Sequence, residues 1–241
     1  KKTFMSDDLI PVGECKGFRG LTEETCRFFD YSVGQMSNGK KCHIAGYRDE
    51  EGNIVAQHLR TKDKDFPWIG DKSDATLFGQ HKARDGATKL IITEGELDAM
   101  SVHQIISSSR NRWSVVSIKS GAKVAKKDLA EQLQWIEQAE EIILMFDMDD
   151  AGQEAARECA PMFRAGKCKI ASLPLKDANE MLKEGRGAEV VDAIFTAKEY
   201  KPEGVKRISD VREEVMTDPV YGLPYWDERL NKATLGRRMG E

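Results

Sequence analysis

The sequence lacks long apolar runs and paired cysteines. None of its hydrophobic segments approaches the roughly 20 residues that a membrane-spanning helix requires, and no apolar stretch follows the first residues, KKTFMSDDL, as it would in a signal peptide. The five cysteines are odd in number and form no CxxC pair, which argues against a zinc site or a disulfide framework. We expect a cytoplasmic protein with reduced thiols, without zinc in these residues and without a membrane partner.

An initiator methionine and a nucleotide-binding P-loop, GxxxxGK[ST], are also missing from the sequence. The missing methionine suggests a fragment of a longer protein. A basic excess is missing as well, since the net charge is -4 and nucleic-acid-binding proteins are usually basic. The net value hides a local difference, because Lys and Arg balance Asp and Glu in residues 1–120, 18 against 17, and the excess of carboxylates lies in the second half.

Three segments follow one another along the chain, with boundaries predicted at 1–86, 87–199 and 200–241. In the first, LTEETCRFF predicts a short helix with Thr22 as its N-cap, and CHIAGYRDEEGNIVAQHLR predicts a β-hairpin. These elements indicate a small basic α+β subdomain. The third segment contains a charged helix, RISDVREEVM, and reads as a linker plus the start of another domain, which the resemblance named below implies to be a helicase domain.

The second segment alternates between strands and helices. Strands are predicted at 89–93, 114–118, 141–147 and 168–172, and helices at 96–107, 126–138, 151–164, 177–184 and 188–197. This alternation is typical of a mostly parallel sheet that is flanked by helices. We therefore predict an α/β fold for this segment.

Two predicted strands end in carboxylates. KLIITEGELDAM leads from a buried run into Glu94, and EIILMFDMDDAG leads into Asp147 and Asp149. Ligands of open α/β sheets bind at the carboxyl ends of the strands, and clustered carboxylates favour Mg²⁺ or Mn²⁺. Glu96, Asp98 and Asp150 are equally well explained as acids at helix starts.

Basic residues precede these acids. With a strand period of two, His58, Arg60, Lys62 and Lys64 fall on one face, and Arg60, Lys62 and Lys64 are suited to the phosphates of a nucleoside triphosphate or a template. Lys123 is a further candidate for contact with a substrate, with weaker candidates at Lys119, Lys126 and Lys127. Trp68 and Phe66 could stack a base, although packing within the fold is the stronger expectation for both.

Other readings of the DxD motif fit less well. DMDDAG resembles the start of an EF-hand loop, but Ala151 occupies a ligand position and a strand precedes the motif. Phosphatases of the haloacid dehalogenase type carry DxD on their first strand, whereas here it follows the third predicted strand. Each half-motif is weak, and the ordered pair is the informative signal.

The order EGExD and then DxD resembles the TOPRIM metal site. HLRTKDKDFPWIGDKSDATLFGQH is similar to the basic region of DnaG-type primases, and KSGAKVAKKDL, LPLKDANEML and TLGRRMGE are similar to bacteriophage primase–helicases of the Twinkle-like group. The resemblance covers nearly the whole chain. It implies a TOPRIM-type primase domain that makes RNA primers from ribonucleoside triphosphates on single-stranded DNA.

The resemblance also implies site residues and partners. Glu94, Asp147 and Asp149 would hold the metal and carry catalysis, with Asp177 as a further metal position, although Asp177 is equally suited to cap a helix. The full-length protein would carry covalently linked zinc-binding and helicase domains and would act with a replicative DNA polymerase. Without the zinc module, we expect weak or non-specific initiation. A catalytically silent DNA-binding or assembly module and a TOPRIM nuclease are the alternatives.

Overall fold

A computed structural model describes residues 9–63, 65–84, 86–107, 112–200 and 222–234. The chain divides into two compact units, 1–200 and 201–241, which are considered separately. Among the described helices, none is long and apolar enough to cross a membrane. The three-segment division stays a prediction, and the predicted helix RISDVREEVM lies outside the described residues.

The first part of the larger unit contains seven short strands: β1 (Gly13–Glu14), β2 (Gly17–Phe18), β3 (Leu21–Thr22), β4 (Ser32–Gln35), β5 (Lys41–Arg48), β6 (Ile54–Thr61) and β7 (Trp68–Gly70). Five of them form an antiparallel sheet with the order β1-β4-β5-β6-β7, and β2 and β3 form a separate small hairpin.

The predicted hairpin and the predicted helix of this part are confirmed. Strands β5 and β6 pair in antiparallel register, with His43 opposite Arg60. Helix α1 (Glu23–Phe28) begins after Thr22, whose hydroxyl accepts a hydrogen bond from the Thr25 amide at 3.2 Å. This bond satisfies an amide that would otherwise lack a partner in the first turn.

The predicted α/β fold of the second part is also confirmed. The strands β8 (Lys89–Thr93), β9 (Trp113–Ser117), β10 (Glu141–Met145), β11 (Cys168–Ile170) and β12 (Lys198–Glu199) are ordered β12-β11-β10-β8-β9. Only the β11–β12 pairing is antiparallel. The central strands are apolar throughout because both faces of the sheet are covered, and Ile91, Ile92, Ile143 and Leu144 are completely buried.

Helices flank the parallel sheet, and two of them end earlier than the sequence pattern predicted. The helices of this part are α2 (Glu96–Ile106), α3 (Ala125–Glu131), α4 (Leu133–Ile136), α5 (Asp150–Cys159), α6 (Ala178–Lys183) and α7 (Gly187–Phe195). The predicted helix 126–138 is divided at Gln132 into α3 and α4. Helix α5 gives way to a 3₁₀ turn at Ala160–Met162, where Pro161 lacks the amide that would continue the helix.

The hydrophobic core lies on both faces of the parallel sheet. One cluster joins the sheet to α2 and to the antiparallel part, with Phe29, Tyr47 and Phe78 among its buried rings. The other cluster packs α3 and α5 against the opposite face. The shared first cluster holds β6 next to the carboxyl ends of β8 and β10, and these are the elements that carry the candidate site.

The smaller unit is described only over residues 222–234. It contains helix α8 (Glu228–Thr234), and the Asn231 side chain exchanges hydrogen bonds with the backbone of Tyr225 at 2.6 and 3.0 Å.

Candidate active site

An open cavity of about 740 Å³ lies at the carboxyl ends of β8 and β10. Carboxylates line it on the side of the parallel sheet, and cations and aromatic rings line it on the side of β6 and β7. The acids are Glu94, Glu96, Asp98, Asp147, Asp177 and Glu180; the basic residues are Arg19, His58, Arg60, Lys72, Lys119 and Lys176. Opposite charges therefore face one space, which will be called the acidic cavity.

Glu94 follows the last residue of β8, and only one of its two carboxylate oxygens accepts a hydrogen bond. Its Oε1 accepts a hydrogen bond from the Ala122 amide at 3.2 Å, whereas its buried Oε2 has no partner. Gly121, with φ of +72°, allows the chain to turn tightly beside this carboxylate. Burial raises the pKa of Glu94, and the nearby Asp149 charge raises it further.

Asp147 and Asp149 follow β10, as the sequence predicted. Asp149 caps α5, because its Oδ1 accepts a hydrogen bond from the Gly152 amide at 2.9 Å. A Cβ on Gly152 would stand 2.4 Å from the Asp147 carbonyl oxygen, so only glycine permits α5 to start this close to the strand end. The spacing DxDxxG is thus a local requirement of the site.

Lys176 is the cation nearest to this pair. Its Nζ lies 3.5 Å from Asp147 Oδ2 and 4.0 Å from Asp149 Oδ2. Burial raises the pKa of Asp147 to about 6, and the charges of Glu94 and Asp177 act in the same direction. The sequence interpretation did not include Lys176, although it directly precedes Asp177 in the motif KDANE.

The residue types around Glu94 and Asp147 fit a hard cation. Glu94 has a buried oxygen without a partner, and neighbouring carboxylate charges add to the effect of burial in raising the pKa values of Glu94 and Asp147. Within the described residues, however, no three carboxylates, histidines or cysteines are already arranged around a common metal position. Side-chain movement at Glu94, Asp147 and Asp149 would therefore accompany metal binding.

Asp177 and Asp98 lie at the next part of the same cavity. Asp177 caps α6, and its Oδ1 accepts a hydrogen bond from the Glu180 amide at 2.7 Å. Asp98 accepts one from the Asn179 amide at 2.9 Å. Burial raises the pKa of Asp98 to about 8, and the charge of Asp177 adds to the effect. Asp177 therefore has the helix-capping role that was the alternative expectation. Capping uses only Oδ1, so Oδ2 of Asp177 can still bind a ligand.

Glu96 is bound by protein groups. Its Oε1 accepts hydrogen bonds from Tyr47 Oη at 2.8 Å and from His58 Nδ1 at 2.5 Å. Burial by itself would raise the pKa of Glu96, but the hydrogen bond and charge of His58 outweigh it, and the pKa is lowered. Glu96 is therefore an ionised structural link between β6 and α2 and not a helix-start acid facing solvent.

The basic strand ends sooner than the period-two pattern assumed. Strand β6 ends at Thr61, where two hydrogen bonds join Thr61 to Asp65. The Thr61 amide donates to the Asp65 carbonyl at 3.1 Å, and the Thr61 hydroxyl accepts from the Asp65 amide at 3.2 Å. Arg60 is half-buried and lines the cavity, whereas Lys62 lies exposed in the turn. Lys64 lies outside the described residues. The alternation of a strand therefore applies only as far as Thr61, and the prediction of one cationic face from His58 to Lys64 stays a prediction for the residues after it.

The lysines after β9 have different surroundings. Lys119 is buried, and its Nζ donates to the Ala75 carbonyl at 2.9 Å and to Glu131 at 2.7 Å. Lys123 is exposed on a 3₁₀ turn, and its neighbours Gly121 and Val124 line the cavity while Lys123 does not. Lys126 and Lys127 are exposed on α3. Contact between Lys123 and a substrate stays a prediction.

The two aromatic residues near the cations pack against side chains of the site. Trp68 in β7 stacks on His58 with ring centroids 4.4 Å apart, and Lys72 Nζ lies 5.2 Å from the Trp68 ring. Phe66 is more exposed, and the Arg60 guanidinium lies 4.7 Å from its centroid. The expected packing role is present in both, yet both rings also line the acidic cavity.

Comparisons with known proteins match both halves of this site. A family model described as "Bacteriophage T7 DNA helicase/primase, N-terminal a+b fold" matches residues 16–70, and one described as "Toprim-like" matches residues 91–182. A DNA helicase/primase of Enterobacteria phage T3 is 37% identical over 98% of this chain. The chain covers 43% of the length of that relative.

Solved structures support the same relationship. The crystal structure of the primase fragment of the bacteriophage T7 primase–helicase protein is 42% identical, with a TM-score of 0.67 over 73% of this chain and 72% of that one. The chain belongs to the T7-type helicase/primase family. A second family structure holds T7 lagging-strand DNA polymerase with primase domains bound to an RNA/DNA hybrid and dTTP; it is 42% identical, with a TM-score of 0.69 over 76% of this chain and 90% of that one.

The resemblance inferred from the sequence motifs is thus confirmed. A more distant likeness, to the Aquifex aeolicus primase with its zinc-binding and RNA polymerase domains, has 17% identity and a TM-score of 0.58 over 82% of this chain and 57% of that one, and it supports the fold alone. A Toprim-like primase fold generally uses a divalent cation.

Proposed function

We propose that this chain is the RNA polymerase part of a phage primase. It would join ribonucleoside triphosphates into short primers on single-stranded DNA, in the cytoplasm of the infected host. The observation that carries the proposal is the acidic cavity itself, in which desolvated carboxylates on two strand ends face Arg60 and Lys72 across one space. A reaction between a hydroxyl and a triphosphate needs both kinds of group.

Glu94, Asp147 and Asp149 would hold Mg²⁺ or Mn²⁺, with Asp177 as a further ligand. A bound metal would supply positive charge that favours deprotonation of a 3′-hydroxyl and offsets the charge of a triphosphate. The Lys176 ammonium group lies next to Asp147 and Asp149. Once these carboxylates bind the metal, the ammonium group would be free to contact the phosphates of the substrate. The chain supplies no nucleophile, because the nucleotide's own hydroxyl attacks.

The basic side of the cavity would position the nucleic acid. Arg60 presents a planar guanidinium next to Phe66, a combination that suits a phosphate beside a base. Lys62, Lys64 and Lys123 would contribute contacts to the template backbone, which set position without reading sequence. In the full-length protein, zinc-binding and helicase domains would be covalently linked, and a replicative DNA polymerase would take over the primer.

The deciding experiment supplies labelled ribonucleotides, Mg²⁺ or Mn²⁺ and a single-stranded template, and it compares wild type with Asp147→Ala. We expect short RNA products from the wild type and a loss on the order of a thousand-fold in the variant, because a metal ligand contributes several kcal/mol to the transition state. Asp150→Ala is the matched control, since Asp150 is an exposed acid three residues away that does not line the cavity.

The two alternatives give different results in this assay. A silent DNA-binding module would bind template and make no RNA, and a nuclease would shorten the template without incorporating ribonucleotides. No product from the wild type, or equal yields from wild type and Asp147→Ala, would contradict the proposal. Initiation without a zinc module is expected to be weak, so extension of a short annealed RNA is measured in parallel.

A further inference from the structure

His58 lines the acidic cavity and is held in place by a carboxylate and an aromatic ring. Its Nδ1 donates a hydrogen bond to Glu96 Oε1 at 2.5 Å, and the same oxygen accepts one from Tyr47 Oη at 2.8 Å. Trp68 stacks on the imidazole with ring centroids 4.4 Å apart and an interplanar angle of 13°. These contacts fix the position and the plane of the imidazole ring.

The second ring nitrogen of His58, Nε2, is left for a group in the cavity. An ionised carboxylate can only accept a hydrogen bond, so the hydrogen shared with Glu96 belongs to Nδ1. In the part of the chain that the structure describes, no protein group forms a hydrogen bond with Nε2. A carboxylate that binds one nitrogen of an imidazole and leaves the other free is the arrangement that orients a histidine for proton transfer.

His58 differs chemically from the cations on the same side of the cavity, Arg60 and Lys72. A guanidinium is not deprotonated in proteins, and an ammonium in contact with solvent keeps its proton at neutral pH. An imidazole can give up a proton and regain it between pH 5 and 8. Arg60 and Lys72 can therefore offset phosphate charge, whereas His58 can also transfer a proton.

We propose that His58 is the general acid that protonates the leaving pyrophosphate during primer synthesis. The proposal rests on the function proposed above and adds one proton transfer to it. As the 3′-oxygen forms its bond to the α-phosphorus of the incoming nucleotide, the bond between that phosphorus and the α,β-bridging oxygen breaks. The proton on Nε2 passes to this oxygen, the proton of the 3′-hydroxyl is lost to water, and the neutral imidazole then takes a proton from solvent.

The distribution of charge in the cavity supports this end of the triphosphate as the partner of His58. Glu94 and Asp147 lie at the strand ends, where the reacting α-phosphate is expected under the proposed function. Carboxylates repel the rest of the triphosphate, which is thereby directed to the side of Arg60, Lys72 and His58. That part of the molecule is the pyrophosphate that leaves, and charge develops on its bridging oxygen as the bond breaks.

Three replacements of His58 separate charge from proton transfer in the extension of an annealed RNA. His58→Gln removes both, His58→Arg keeps the charge without a transferable proton, and His58→Lys keeps the charge and a proton that can be transferred. We expect kcat to fall on the order of a hundred-fold in the first two and to be partly restored in His58→Lys, because general acid catalysis contributes at least this much. The KM for the nucleotide in His58→Arg should stay within about three-fold of the wild type, since the charge is retained.

The basicity of the leaving group distinguishes a general acid from a residue that only supports the fold. Nucleotides with a β,γ-difluoromethylene or a β,γ-methylene bridge release a less basic and a more basic bisphosphonate, respectively. A proton donor reduces the influence of this difference, so the wild type should use the two at rates within about three-fold, whereas His58→Arg should favour the difluoromethylene compound by more than about ten-fold. His58→Gln should show the same preference, and it provides this measurement if arginine does not fit beside Trp68.

His103→Gln is the matched control, because His103 is a half-buried histidine of α2 that does not line the acidic cavity. It should keep the wild-type kcat and the wild-type ratio between the two nucleotides. Binding of magnesium pyrophosphate, measured by calorimetry, checks the cavity without turnover. The affinity of His58→Arg should lie within about three-fold of the wild type, because the charge that faces the pyrophosphate is unchanged.

Equal kcat values for the wild type and His58→Arg overturn the inference, and so does a ratio between the two nucleotides that is unchanged in both His58→Arg and His58→Gln. Failure of the proposed function has a different signature. A wild type that makes no RNA removes both proposals, whereas RNA synthesis that is lost in Asp147→Ala and kept in His58→Arg removes the proton transfer alone.

Discussion

The two parts of the larger unit bring opposite charges to one space by different structural means. The antiparallel part supplies cations from β6 and the turn after it, and these side chains are half-buried or exposed. The parallel part supplies carboxylates at the ends of β8 and β10, where burial raises the pKa values of Glu94 and Asp147. The cations stay in contact with solvent and can bind phosphates. Burial disfavours the ionised form of Glu94 and Asp147, and a bound cation would stabilise that form.

The same contrast exists between two acids that are only two residues apart. Glu94 keeps a buried oxygen without a partner, and its pKa is raised by burial. Glu96 accepts hydrogen bonds from Tyr47 and His58, which both belong to the antiparallel part. One acid is thus left for a ligand from outside, and the other joins the two parts of the fold.

The largest change in stability is expected from Glu96→Ala. It leaves the buried Tyr47 hydroxyl and the half-buried His58 ring without their acceptor, so the free energy of unfolding should fall by about 3 to 5 kcal/mol. Urea unfolding in the presence of a chelator measures the change. Glu94→Ala is the control, and it should leave stability unchanged or raise it, because it removes a desolvated carboxylate. Equal losses in both variants would show that the two acids have the same structural role.

A second effect, of a few kcal/mol, is expected at Asp98. Its pKa of about 8 in the folded chain lies above the unfolded value near 3.9, so the folded state binds more protons between these values. Stability contributed by this group is complete at low pH and is lost as pH rises through this window, at roughly 1.4 kcal/mol for each unit.

Asp98→Asn separates this effect from those of the other acids. The variant should match the wild type near pH 4 and become the more stable protein by pH 8, because asparagine can still accept the Asn179 amide hydrogen bond. Thermal melting across this pH range, in a chelator, provides the measurement. A constant difference between the two proteins at all pH values would contradict the assignment.

The smallest change in stability is expected at Asp177, where capping and charge can be separated. Asp177→Asn keeps a good N-cap for α6, so the free energy of unfolding should stay within about 0.5 kcal/mol, while Asp177→Ala should lose about 1 kcal/mol. If the charge serves the metal, primer synthesis should fall in both variants. Full activity of Asp177→Asn would leave Asp177 as a helix cap alone.

The local motifs of the site were predictable from the sequence because they follow from the chain's immediate neighbours. An apolar run that ends at Glu94 or Asp147 predicts a buried strand and a carboxylate at its end, and the alternation of strands and helices places both ends at one edge. Thr22 is a residue type that favours the N-cap position, so it predicts the start of helix α1. The basic hairpin was predictable in its pairing, but the end of β6 at Thr61 was not, since the turn between Thr61 and Asp65 depends on hydrogen bonds that alternation does not contain.

The partners of Glu96 were decided by tertiary packing, unlike the local helix-capping bonds of Asp149 and Asp177. Tyr47, His58 and Glu96 lie far apart in sequence, and only the docking of the antiparallel sheet on α2 distinguishes Glu96 from Glu94. Position in the sequence likewise says nothing about the contact between Phe18 and His43 or about the Arg19 turn held by Asn179. Residue type and spacing determine which groups a strand end presents, whereas burial and long-range contacts determine which of those groups remain available to a ligand.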